Sequence, residues 1–495
     1  MKMKRPKTLN PFKFFFGKEA EEGYVPNREL FAYSAALAGQ NASYGMISQW
    51  LNYFMTNVLY ISAGSTGTMM GVVRVWDAIN DPLVGTLIDR HKFKNGNKLH
   101  PYLGKLAVVI GLLTALMFID FGVGETAAML IILFIYIAWD MTYSFQDVAL
   151  WGMMSLITPH SGERARVSQW INIGAGAGGA IAGAVPFFLG MTEALHTTER
   201  TMLLLCAIVF GLGGELVSIF AMKTKERVEF VAPPKQSLWQ DLKEVRYNRT
   251  LLLLILAQLT NAISGCIPWI YYFKYCVEIR IGDTIINGET TQTVYGILIG
   301  ALGTVSMFFA VKIADRVGSM KRLIILAQTG NVVLRVIAYF IGFDTIPQML
   351  SVIILMAIGN IPVTLIGIAQ KALLSDSIDY MEWKTGKRKE GITFSLQNLT
   401  SKMIDALKSF LFGAIFTLLH FDAELPKQTD LFLNAQWPLF MLLPALASFL
   451  YLIPFIFIKD NKEQKARIER ELAERHKVEL DGLEKVCLME ESAQH

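Results

Sequence analysis

Apolar residues along this chain gather into long uninterrupted blocks instead of alternating with polar ones. Leu106 to Asp120, Met129 to Trp139 and Leu251 to Leu259 carry no charge before their last residue. Extended to their polar borders, such blocks reach about 20 residues, enough for a helix to cross a hydrocarbon layer about 30 Å thick. Lipid offers the backbone no hydrogen-bond partner, so spans of this composition are helices. The blocks and their charged borders predict twelve spans: 31–62, 67–88, 104–122, 127–157, 168–190 and 201–222, then 250–275, 293–314, 321–343, 347–373, 391–420 and 436–458. The predicted fold class is all-α and polytopic, with two six-helix bundles at 31–222 and 250–458. An N-terminal segment 1–30 precedes them, a connector 223–249 joins them, and a tail 459–495 follows. The connector is charged, contains Pro233 and Pro234, and has a short amphipathic piece around Trp239 to Val245. The tail sets Glu against Arg and Lys at spacings of three and four, which reads as a solvated helix.

Composition points the same way. Of 495 residues, 53% are hydrophobic and only 18% charged, with a mean hydropathy of +0.39. A soluble protein of that length needs more charge to cover its surface. The formal net charge of +4 matters through its placement. Arg90, Lys92, Lys94, Lys98 and Lys105 follow the second span, whereas the loops Ala63 to Gly67 and Gly122 to Thr126 hold no Lys or Arg. The excess recurs at Arg164 and Arg166, at Lys223 to Arg249, at Arg316 to Arg322 and at Lys384 to Lys389. By the positive-inside rule these loops and both termini face the cytoplasm of an inner membrane. The opening stretch (Lys2, Lys4, Arg5, Lys7) is basic without an apolar core or cleavage site, so it does not read as a cleaved signal peptide. Cys206, Cys266, Cys276 and Cys487 lack metal-ligand spacing and read as reduced bystanders.

The sharpest clue is charge inside the spans, where an ionised group costs about 2.5–3.5 kcal/mol and needs a reason. In the second span Arg74, Asp77 and Asp81 are spaced by three and four, so they share a helical face with Asn80 beside them. Carboxylates one turn apart repel unless a cation or proton lies between them. Carboxylate, amide and hydroxyl oxygens suit a hard alkali cation. The alternative is an internal Arg74–Asp77 ion pair with Asp81 at an aqueous helix end. In the fourth span Ser144, Asp147 and Trp151 share a face. A carboxylate beside an aromatic platform suits a sugar, whose hydroxyls donate to the acid while the ring covers its C–H face. Trp151 is alternatively an ordinary interface aromatic. The eleventh span aligns Ser395, Asn398 and Lys402, followed by Asp405 and Lys408. Lys402 either serves the first-half carboxylates or pairs privately with Asp405. No nucleophile–base set, metal-ligand cluster or phosphate loop is present, which argues against an enzyme.

The two halves repeat a local pattern. Gly85-Thr-Leu-Ile-Asp89-Arg90 follows the second span, and Ala314-Asp315-Arg316-Val-Gly318-Ser-Met-Lys321-Arg322 follows the eighth. This resembles the cytoplasmic signature of the major facilitator superfamily, and an internal repeat accords with a rocking carrier whose site lies between halves. Arg74 to Pro82 (RVWDAINDP) is very similar to the second-helix motif of the glycoside–pentoside–hexuronide:cation symporters, the family of the melibiose carrier. The resemblance continues through Gln146, Asp147 and Trp151, then Asp376, Asp379, Tyr380 and Glu382, then Glu390, Gln397 and Lys402.

The resemblance implies a secondary transporter that symports a glycoside, pentoside or hexuronide with Na+, alternatively H+ or Li+, by alternating access. It implies a cation site at Asp77, Asn80, Asp81 and Ser144, with Asp77 and Asp81 as the alkali-metal ligands and no other cofactor. The implied solute contacts are Asn41, Arg74, Asp147, Trp151, Asn398 and Lys402. Asp89, Arg90, Asp315, Arg316, Asp376, Asp379 and Arg388 match a cytoplasmic charged gate. The implied partners are a sugar-like solute, the coupling cation and the bilayer, with no nucleic acid, and the carrier acts as a monomer. Two departures stand out. Asn41, preceded by Gln40, stands where the melibiose carrier has a sugar-binding Asp, and Asn172 where it has an Arg. Losing the paired-carboxylate grip leaves room for an anionic sugar, and keeping both Asp77 and Asp81 favours sodium. The other readings are a carrier or exporter of an amphipathic, lipid-like solute, and a transport-inactive membrane sensor.

Overall fold

The computed structural model describes residues 24–90, 93, 98–228, 248–281, 284–307, 313, 316–386, 390–425, 427–458 and, in the tail, 465, 467, 468, 470–472, 474 and 475. The described residues form twelve helical segments. α1 runs Asn27–Gly45, through a π-helical turn Met46–Trp50, into Leu51–Asn57. α2 is Ala63–Arg90, α3 is Tyr102–Lys105 with Ala107–Leu116, and α4 is Glu125–Leu156. α5 is Ser161–Gly183 with Val185–Leu189. α6 is Glu199–Cys206, a π turn Ala207–Leu212, Gly213–Ser218 and a last tight turn Ile219–Lys223. α7 comprises Arg249–Leu259, Asn261–Ser264 and Trp269–Cys276. A hairpin follows, β1 Glu278–Ile281 pairing antiparallel with β2 Thr284–Asn287, which the hydropathy pattern did not foreshadow. Then come α8 Gly288–Met307, α9 Met320–Ile341, α10 Ile346–Thr385, α11 Glu390–Leu418 and α12 Asp430–Phe457.

Helix ends follow local chemistry. Asn248 Oδ1 accepts from the Leu251 amide at 3.1 Å and starts α7, while its Nδ2 donates to the Ser377 carbonyl at 3.0 Å, tying that start to α10. α10 opens on a capping box of Thr345 and Gln348, with Pro347 in its first turn. Gly342 and Gly386, with φ of 78° and 71°, end α9 and α10 in a backbone region that glycine enters without strain. Seven helices among the described residues are long and apolar enough to cross a membrane by length and composition alone. α2 and α11, which carry Arg74, Asp77 and Asp81 and Lys402, Asp405 and Lys408, are not among these seven.

By contacts the chain forms two compact units, and they depart from the expected boundary between 222 and 250. Residues 268–293 and 409–433 join 1–233 in the first unit, while 234–267, 294–408 and 434–495 form the second. The reason is that the distal ends of α7 and α11 pack on first-half helices. A Cβ on Gly67 of α2 would lie 2.6 Å from Gly413 Cα, so two glycines allow the backbones to touch. Thr56 and Tyr271 hydroxyls share a hydrogen bond of 2.6 Å, and Asn57 Nδ2 donates to the Tyr275 hydroxyl at 2.7 Å. Within the first unit α1 is central: Gly174 and Gly178 of α5 and Gly214 of α6 lie directly against its backbone. Leu30, Tyr33, Leu37, Val84, Leu103, Leu150, Met153 and Ile171 fill the core of α1 to α5. In the second unit Leu254, Leu323, Ile324, Leu365, Leu373, Tyr451 and Phe455 join α7, α9, α10 and α12.

The tail corrects the expectation of a solvated helix. Ile468 and Leu472, four apart, are buried. Lys465 Nζ donates to Asp376 Oδ2 at 2.6 Å, and Glu471 Oε2 accepts from Trp383 Nε1 at 2.6 Å. The apolar stripe, hidden in a charged sequence, docks the tail on the end of α10. The amphipathic piece at 239–245 lies outside the described residues.

Candidate functional site

α2 presents its polar face to α4. Arg74, Asp77 and Asn80 are all buried, and Asp81 is half-buried. Arg74 donates to Asp77 Oδ2 at 3.2 Å and to the Tyr136 hydroxyl at 3.1 Å, and Tyr136 in turn donates to Asp77 Oδ2 at 3.3 Å. The internal Arg74–Asp77 pair foreseen as the alternative is therefore present, and it coexists with the rest of the cluster. Arg74 and Asp77, three apart on α2, face each other across one turn, and Tyr136 of α4 bonds to both. One turn on, Asn80 Nδ2 donates to Asp140 Oδ2 at 2.8 Å and to Ser144 Oγ at 3.1 Å, and Ser144 Oγ donates to Asp81 Oδ1 at 3.1 Å. Asn80, Asp81 and Ser144, three of the four residues that the resemblance implies for the cation site, thus share one network with Asp140 of α4, and Asp77, one turn earlier on α2, is held by Arg74 and Tyr136. Among the described residues no three His, Cys, Asp or Glu side chains converge as a caged metal requires. The oxygens available here are two carboxylates of α2, one of α4, and neutral amide and hydroxyl oxygens, a hard donor set compatible with an alkali ion.

Three residues beyond Ser144 the same helix carries a second group. Asp147 Oδ1 accepts from Gln40 Nε2 at 2.7 Å, from Trp151 Nε1 at 3.1 Å and from the Tyr143 hydroxyl at 3.5 Å. Asn41 Nδ2 donates to the Leu37 carbonyl at 2.9 Å and to Gln40 Oε1 at 3.1 Å. Asn41, Asp147 and Trp151 therefore converge, but Gln40, not Asn41, is what touches Asp147. Trp151 remains 38% exposed, so its ring is open to a ligand. Tyr44 stacks on Tyr143 with centroids 5.5 Å apart, extending the aromatic wall. Asn172 is exposed and bonds its own helix at the Ser168 carbonyl, 2.6 Å away.

In the second unit Asn398 is exposed and Lys402 half-buried on α11. Asp405 Oδ1 accepts from Lys408 Nζ at 3.0 Å, an ion pair within one turn of α11. Of the gate positions, Asp376 pairs with Lys465 of the tail, Asp379 is half-buried and Arg316 exposed. Asp315 and Arg388, and the side chains of Asp89, Arg90 and Ser395, lie outside the described residues.

Two polar groups in the first unit carry no motif. Lys274 Nζ of α7 donates to both oxygens of Glu199, at 2.7 and 2.8 Å, and to the Tyr53 hydroxyl at 2.7 Å, binding α7 to α1 and α6. Glu215, wholly buried in α6, accepts from Gln146 and Ser218. A single charge inside an apolar block was the available signal for Glu215; Glu199 and Lys274 stand at block ends, where charge is ordinary.

Comparison with known proteins fits this geometry. The family model for MFS/sugar transport protein matches residues 32–462. The isoprimeverose transporter of Lactiplantibacillus pentosus is 24% identical over 472 residues, 92% of this chain and 95% of that protein. The putative glycoside/cation symporter YagG of Escherichia coli K12 is 27% identical over 429 residues, 85% of this chain and 88% of that one. A solved bacterial homologue of the lysosomal transporter Spinster, inward-facing and unoccupied, shares the fold with a TM-score of 0.60 at 13% identity, covering 88% of this chain and 97% of its own. The chain belongs to the MFS/sugar transport protein family, of the glycoside–pentoside–hexuronide:cation kind, and is a multi-pass membrane transporter.

Proposed function

We propose that the protein imports a glycoside, pentoside or hexuronide together with a cation, Na+ in the first instance and H+ or Li+ otherwise. The observation that supports this best is the shared helix. Ser144 of α4 bridges Asn80 and Asp81, and Asp147, three residues on, holds Gln40 and Trp151. A cation between Asp77 and Asp81 offsets their mutual repulsion and fixes the α2–α4 register. That register sets the position of Asp147 and Trp151, where a sugar hydroxyl and C–H face would be held. Each ligand then favours the other by the same factor, which is what obligatory coupling requires. Closing a loaded carrier buries a neutralised site; closing an empty one buries bare carboxylates at greater cost. Asn41 and Gln40 offer amides where a second carboxylate would repel an anionic sugar, which favours a hexuronide over a neutral galactoside. The positive-inside asymmetry favours cytoplasmic termini, and the carrier acts as a monomer. The test is uptake into membrane vesicles of labelled glycosides, pentosides and hexuronides, with and without an inward sodium gradient. Accumulation of one class that collapses when the gradient is dissipated is expected; gradient-indifferent behaviour across all three classes overturns the reading.

A further inference from the structure

The Lys274–Glu199–Tyr53 cluster joins parts of the chain that lie far apart in sequence. Tyr53 stands near the end of α1 and Glu199 opens α6, whereas Lys274 comes from the last turns of α7. Lys274 Nζ directs its three donors at both Glu199 oxygens and the Tyr53 hydroxyl, and that hydroxyl donates in turn to Glu199 Oε2 at 2.7 Å. The ion pairs Arg74–Asp77 and Lys408–Asp405 each lie within one helix, so they survive any movement of one helix past another. Lys274–Glu199 does not. It is made or lost as the end of α7 meets or leaves α1 and α6.

The contacts around it are of the same separable kind. The Thr56–Tyr271 and Asn57–Tyr275 hydrogen bonds join polar groups that water can satisfy once they part. Asn287 Nδ2 donates to the Gly190 carbonyl at 2.7 Å and ties the hairpin to the end of α5. A Cβ on Gly64 would lie 2.8 Å from Thr417 Oγ1, so the smooth contact of Gly67 with Gly413 extends a turn further without interlocking side chains. The Lys274 and Glu199 side chains remain 18% and 31% exposed, so water reaches the pair and parting it is cheap. All of these contacts belong to the first unit, and they lie at the end of the spans opposite the Lys- and Arg-rich loops.

We propose that Lys274, Glu199 and Tyr53 form a latch that holds this end of the carrier shut and parts in each transport cycle. They are positioning residues, acting through the helices they join and not by holding cation or solute. The proposal rests on the alternating-access reading above, but its test uses neither solute nor ion gradient, so the two can fail separately.

The test is the rate at which N-ethylmaleimide labels an introduced cysteine in the purified full-length protein, followed site by site by mass. T56C reports on the latch end, where Thr56 is 1% exposed. S155C reports on the other end, since Ser155 is exposed in the last turn of α4, one turn beyond Trp151 on the same face. In E199Q, labelling of T56C should rise about three- to fivefold, the scale of a partly wetted ion pair. Labelling of S155C should fall, because opening one end of an alternating carrier closes the other. E199K/K274E, which restores opposite charges, should return both rates toward those of the wild type. An unchanged T56C rate overturns the proposal. So does an S155C rate that fails to fall, which marks general loosening, or an exchanged pair without recovery. Should E199Q fail to fold, Y53F decides by the same two rates.

Discussion

Ser144 is the residue on which the two halves of the site turn. Its hydroxyl accepts from Asn80 and donates to Asp81, so S144A leaves an amide and a carboxylate without that partner. A buried polar group left unsatisfied costs about 1–3 kcal/mol, so half-saturating Na+ should rise about tenfold or more while sugar binding at saturating Na+ is largely kept. Sodium titration of sugar binding reads this directly; an unchanged sodium requirement would remove Ser144 from the cation site. D147N should do the reverse, weakening sugar binding with little change in sodium affinity, as equilibrium binding with each ligand varied would show. Asp77, Asn80, Asp81, Ser144, Asp147 and Trp151 were legible in the sequence because helical periodicity alone puts each set on one face. Asp140, Tyr136 and Gln40 were not. Their roles depend on how α2 and α1 are rotated against α4, and adjacent residues such as Gln40 and Asn41 differ by about 100° around a helix, which no spacing within one helix reveals.

At the scale of elements, two attachments carry predictions. The Lys274–Glu199–Tyr53 cluster anchors Trp269–Cys276 to α1 and α6, so E199Q should speed amide exchange across 269–276 relative to α7's first turns. Equal protection in both proteins would show that the aromatic packing of Tyr271 on Phe412 and Phe416 suffices without the charges. The tail gives a pH dependence. Arg467, and after it Trp383, hold the Glu471 carboxyl below the usual glutamate range. A carboxyl lowered in the docked state contributes stability that is present above its free value and lost as pH falls through the lowered one. Amide exchange of residues 465–475, corrected for intrinsic rates, should therefore rise on acidification, and less so in E471Q. The docking was hidden because i,i+4 charge pairs dominate the tail's sequence, while its apolar stripe at Ile468 and Leu472 is only two residues long.

For the whole molecule, the hydropathy blocks located all twelve helical segments among the described residues to within a turn or two at most ends. They were legible because burial in lipid forces helix and sets its length. The division into units was not, since it follows from where Gly67 meets Gly413 and Tyr271 meets Thr56, contacts between residues hundreds of positions apart. The account as a whole rests on carboxylates of α2 serving a cation that drives solute movement. D77C tests it most directly, by solute accumulation in vesicles under an imposed sodium gradient beside equilibrium solute binding. The account predicts that accumulation is lost while measurable solute binding remains. Sodium-dependent accumulation at the wild-type level in D77C would contradict it.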